Sequence, residues 1–159
     1  MSAKTAKRLA AGFVAGFLSV LVFSNGAIFL YHAAGVPVPL APWSMAPVPP
    51  FGVSQTLSAA FFGGIWGVVY AVAEPWLTAR LGWLASGIVF GALPLLALWF
   101  VVFPLKGIPV GGGFTALALQ LGIVLHAAFG LGLAIFFRIV RRLSDGSSDE
   151  GTLAAGRGS

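Results

Sequence analysis

Few residues in this 159-residue chain could do chemistry, and most of them stand alone in apolar surroundings. Asn25, Gln55, Gln120 and His126 lie inside long uncharged runs, and His32 lies at the edge of one. A polar group left unpaired in lipid is costly, so each is a functional candidate. Asn25 and His32 are seven residues apart, which on an α-helix puts them within about 20° of one azimuth. With Leu21 and Phe29 they form a single stripe. One reading is a path for a small solute or ion, lined by Asn25, His32, Gln120 and His126, with Pro94 as its hinge. The other is ordinary interhelical hydrogen bonding, which averages about 0.6 kcal/mol per bond in membranes and is the preferred reading.

The two histidines invite a metal or a haem. Two imidazoles on one metal place their nitrogens about 4 Å apart, given bonds of roughly 2 Å. His126 falls about 18 Å along its span from Phe114 at 1.5 Å per residue, whereas His32 sits at the outer boundary. A shared bis-histidine site is therefore disfavoured. His126 alone remains as a weak haem ligand, set against a neutral core histidine packed by Gly122 and Gly130; no cofactor is predicted. Glu74 and Arg80 could form a proton or ion relay, but at a membrane border a solvated ion pair of little strength is the simpler outcome. Cysteine is absent, which removes disulfides, thiol redox chemistry and thiolate metal sites. Gly111-Gly112-Gly113 lacks the Lys-Ser/Thr ending and the preceding strand of a phosphate loop. No hydrolase, kinase or metalloprotease signature is present, and the chain is expected not to be an enzyme.

The elements that must position these residues follow from composition. The chain is 58% hydrophobic and 8% charged, where a soluble domain carries about 25% charged residues. No charge occurs between Arg8 and Glu74, between Arg80 and Lys106, or between Lys106 and Arg138. Each gap exceeds the roughly 20 apolar residues that cross a bilayer as helix. Barrel strands alternate apolar and polar residues, and these runs do not. The expected fold is all-α: a polytopic bundle of four transmembrane helices over about residues 9–31, 55–73, 81–103 and 114–137. A basic leader, 1–8, precedes it. A polar tail, 138–159, follows and is expected to be disordered. A cleaved signal peptide is the rival reading of the first span, with Ser24-Asn25-Gly26 before the cut, but the apolar run continues to Tyr31.

Between the first two spans, residues 33–53 form an outer loop. Residues Ala33 to Pro50 alone hold six of the ten prolines and no ionisable side chain other than the flanking His32. Proline cannot feed a helical ladder, so the segment is extended or turned. Its Trp43, Met45 and Phe51 predict a loop lying on the membrane surface or folded back over the bundle. Glu74-Pro75-Trp76 is expected to end the second span and Pro94 to kink the third.

Four spans put both termini on one side, with Lys4, Lys7, Arg8, Arg80, Arg138, Arg141, Arg142 and Arg157 together and Lys106 opposite. That asymmetry predicts cytoplasmic termini, with the Pro-rich loop facing outward. It also turns the net charge of +5 toward orientation rather than nucleic acid. Small residues recur four apart in every span: Gly12 and Gly16, Gly63 and Gly67, Gly87 and Gly91, Ala128 and Gly132. Such spacing lets helices approach closely, within one bundle, in a homodimer or against a partner protein. An internal echo links Gly35-Val36-Pro37-Val38 with Gly107-Ile108-Pro109-Val110, and Ala59-Ala60-Phe61 with Ala127-Ala128-Phe129. A duplicated hairpin and chance similarity are both open explanations.

The segment Ala46 to Val53, running into Ser58 to Gly67, resembles a group of uncharacterised small bacterial inner-membrane proteins. The resemblance implies the four spans and brings no activity with it. In size the chain also resembles small four-helix multidrug transporters, but it lacks their membrane-embedded glutamate. The basic and glycine signatures of small fluoride channels are not apparent. The expected role is a structural or accessory subunit of a membrane complex. The alternatives are a small oligomeric channel or carrier and, more weakly, a haem-binding redox subunit.

Overall fold

The computed structural model describes the backbone of residues 2–156 and the side chains of residues 2–144. Four helices are long and apolar enough to cross a membrane: α1 (Ala3–Ala33), α2 (Gln55–Leu81), α3 (Trp83–Leu105) and α4 (Ala116–Gly156), the last apolar within Ala116–Ser144. A minimal antiparallel ladder, β1 (Pro47–Val48) with β2 (Val53–Ser54), sits between α1 and α2. Its turn contains the cis Pro49–Pro50 bond.

Local chemistry sets the helix ends. Ser2 caps α1, its hydroxyl accepting the Thr5 N–H at 3.2 Å. Lys4, Lys7 and Arg8, expected in a separate leader, therefore stand on the first turns of the helix. Ser54 caps α2 and Thr115 caps α4 in the same way, each at 3.2 Å. Pro75 does not end α2, contrary to expectation; the helix runs through it to Leu81. A proline removes one N–H, whereas Gly82 adopts φ 77°, ψ 165°, which a side chain does not tolerate. The stop is therefore the glycine, and α3 follows at once. Pro94 lies three residues after an interruption at Gly91, and a π turn, Leu98–Val102, follows. α4 is helical through Gly156, into the stretch expected to be disordered; residues 157–159 lie outside the described residues.

The first half of the internal echo is a repeated helix stop. At the end of α1, Gly35 has φ 73°, its N–H bonds the His32 carbonyl and the Val36 N–H bonds the Tyr31 carbonyl. At the end of α3, Gly107 has φ 70°, its N–H bonds the Pro104 carbonyl and the Ile108 N–H bonds the Phe103 carbonyl. Both are Schellman caps with a following proline. The second half of the echo has no such equivalence: Phe61 is exposed, while Phe129 is buried.

Two antiparallel hairpins make up the bundle. A Cβ on Gly12 would strike the Gly67 carbonyl, and one on Gly16 the Gly63 carbonyl, so α1 and α2 meet backbone to backbone. In the second hairpin, Gly87 faces the Gly130 carbonyl and Gly91 faces that of His126. Of the predicted pair Ala128 and Gly132, Gly132 meets α1. The reason is that α4 packs on both α1 and α3. Two residues along a helix turn about 200°, so Gly130 and Gly132 serve different neighbours. Gly132 leaves room for Ser19 and Phe23 of α1, and the buried Ser19 hydroxyl donates to the Phe129 carbonyl at 2.6 Å. Tyr70 joins α2, α3 and α4, with its ring 5.1 Å from Phe90 and 5.5 Å from Phe137.

Candidate functional site: a pinned loop opposite a basic end

The Pro-rich loop is fastened to an irregularity in α1. Residues Val20–Ser24 form a π turn, whose extra residue tilts carbonyls away from their usual partners. Asn25, 5% exposed, closes the gap. Its amide nitrogen donates to the Val20 carbonyl at 2.8 Å. Its oxygen accepts the Trp43 N–H at 2.7 Å. The Trp43 indole N–H in turn donates to the Leu21 carbonyl at 2.9 Å. Trp43 holds φ 47°, an uncommon conformation for a bulky residue. Its ring also lies 6.0 Å from that of Phe29. One turn further on, His32 Nε2–H donates to the Leu40 carbonyl at 2.7 Å. Asn25 and His32, neighbours on one stripe, thus bind the same loop at two points.

The other predicted path residues do not join them. Gln120 is exposed on α4. His126 is half-buried, and its Nδ1–H donates to the Gly122 carbonyl at 2.9 Å, within its own helix. That bond leaves the Nε2 lone pair as the one position from which the ring could ligate. The described residues contain no group of three or more His, Cys, Asp or Glu able to hold a metal ion. Pro94 is buried beside the interruption in α3.

Glu74 and Arg80 are not paired. Arg80 lies over the Trp76 ring at 4.5 Å. Glu74 instead accepts from Arg8 Nη2 at 2.8 Å, with Arg141 Nη1 at 3.9 Å. One carboxylate on α2 therefore draws together the start of α1 and α4 at Arg141, near the end of its apolar run. Beside it the Ser86 hydroxyl donates to the Trp83 carbonyl at 2.7 Å, so it accepts from the Tyr70 hydroxyl at 2.9 Å. Thr78 lies 3.5 Å from Glu74 and 3.4 Å from Ser86, linking the two clusters. All four helices contribute to this end. An open cleft of about 320 Å³ runs through it, lined by Tyr70, Glu74, Thr78, Arg138 and Arg141 among others.

Sequence reasoning missed Ser19, Tyr70, Ser86 and Trp43 as bonded groups. Serine, tyrosine and tryptophan are unremarkable in an apolar run; a π turn, which turns Trp43 into a donor to α1, has no sequence signal of its own. The chain matches no protein-family model, no curated protein and no solved structure.

Proposed function

We propose that this chain is an accessory subunit of a membrane complex that docks to a membrane-protein partner through its pinned loop. One observation carries the reading: Met45 and Phe51 are 72% and 87% exposed on a segment held to α1 by Asn25, His32 and Trp43. A pre-ordered apolar loop loses little conformational freedom when it is covered, which favours association. The glycine faces offer less, because Gly12, Gly16, Gly63, Gly67, Gly87 and Gly91 are already closed against backbone of the same chain. We place both termini on the cytoplasmic side of a bacterial inner membrane, with the loop outside. Supporting this, Arg8, Arg80, Arg138, Arg141 and Arg142 gather at the end opposite Lys106. The embedded polar residues serve architecture in this reading, and no catalytic step is assigned.

A photo-crosslinking residue at position 51, irradiated in native membranes, is expected to give one discrete protein adduct. The same residue at position 62, on the exposed face of α2, is expected to give none. Adducts to lipid alone at both positions would overturn the docking role.

A further inference from the structure

A second open cleft at the basic end, about 830 Å³ in volume, lies between the first turns of α1, α2 near Ala71 and Val72, and α4 at Arg141 and Ser144. Lys4, Lys7, Arg8 and Arg141 line it, and no acidic side chain does among the described residues. Glu74 engages Arg8 and Arg141 from outside this lining. The remaining wall is of a different kind. Leu9, Ala11, Ala71 and Val72 give it an apolar side. Val72 is 70% exposed on the lateral surface of α2, so the cleft opens toward lipid as well as toward water.

We propose that this cleft binds the phosphate headgroup of an anionic phospholipid. Four cations suit a phosphate oxygen cluster, and basic pockets between membrane helices are suited to such headgroups. A free phosphate shares that chemistry but has no use for the apolar wall or the lateral opening; an amphiphile uses both. The cleft is also of a size that ordinary small-ligand sites have, about 300–1,000 Å³. The site is independent of the docking role of the loop, which lies at the other end of the bundle.

The test uses the full chain purified in a non-ionic detergent and titrated with phosphatidylglycerol or phosphatidylcholine, with bound lipid counted by native mass spectrometry. Phosphatidylglycerol is expected to bind at one saturable site at least about tenfold more tightly than phosphatidylcholine, a preference set by the extra headgroup charge. Lys4→Gln should weaken phosphatidylglycerol about fivefold, the usual share of one lysine near the surface. This exposed residue is changed instead of Arg8, so that the Glu74 ion pair stays intact; Lys106→Gln, at the far end, should leave binding unchanged. Inorganic phosphate at millimolar concentration should not displace the lipid. Equal binding of the two lipids, unaltered binding in Lys4→Gln, or an equal loss in Lys106→Gln would each overturn the proposal. Displacement by inorganic phosphate would replace it with a simple anion site.

Discussion

Asn25→Leu is the sharpest perturbation of the loop attachment. Leucine approximates the size of asparagine and fits the apolar surroundings, so the bundle should survive. Two bonds are lost, to the Val20 carbonyl and from the Trp43 N–H. Only the second holds the loop. Membrane hydrogen bonds average about 0.6 kcal/mol and reach about 1.7. Losing that one bond should raise the local opening of the Trp43 amide about three- to twentyfold. The left-handed φ of Trp43 costs about 1 kcal/mol in both proteins and so cancels from this ratio. Hydrogen–deuterium exchange of a peptide spanning residues 40–46, in detergent, reads this directly. A second peptide from α2 around Gly63 serves as the internal reference and should not change. Unaltered exchange at Trp43 in a variant that keeps its reference protection would refute the reasoning, because the Asn25–Trp43 bond would then not be what holds the loop.

Other substitutions probe the bundle itself. Gly16→Leu drives a side chain into the Gly63 carbonyl and should lower the thermal midpoint in detergent by an amount matching about 3 kcal/mol or abolish the monodisperse peak. Gly26→Ala, with nothing near its added Cβ, should be neutral or stabilising by up to about 1 kcal/mol; a loss comparable to Gly16→Leu would show that helix propensity, not contact, governs both. Gly82→Ala forces a side chain into φ 77°, ψ 165° and should destabilise by about 1–3 kcal/mol in the same melt. Ser86→Ala leaves the buried Tyr70 hydroxyl without its acceptor, at about 1–3 kcal/mol, and adding Tyr70→Phe should recover most of that loss. No recovery in the double variant would mean that Ser86 acts through its Trp83 bond alone.

The four helices were legible because hydrophobic runs longer than a bilayer leave little choice of structure. Their ends were less so. Pro75 looks like a stop and is tolerated, while Gly82, one small residue among many, is the true break. The glycine pairs of α1, α2 and α3 were visible as spacing. On α4 the predicted Gly132 faces α1, while Gly130 and the His126 carbonyl face α3; a helix with two neighbours carries two small-residue faces, and spacing alone does not assign them. Asn25 and His32 were recognised as a stripe, and both serve the loop. Their partners could not be read, since Trp43 and Leu40 approach only after an irregular loop folds back. Arg8 and Arg141 reach Glu74 across more than sixty residues of chain in each direction, whereas the sequence-near Arg80 turns to Trp76.

In the proposed role the embedded polar residues close the fold instead of lining a path. Solute and ion flux into vesicles reconstituted with the native protein and with Asn25→Leu tests that most directly. The prediction is that no flux depends on Asn25, across monovalent cations, anions and small neutral solutes. A flux present in the native protein and absent from a correctly folded Asn25→Leu variant would contradict it.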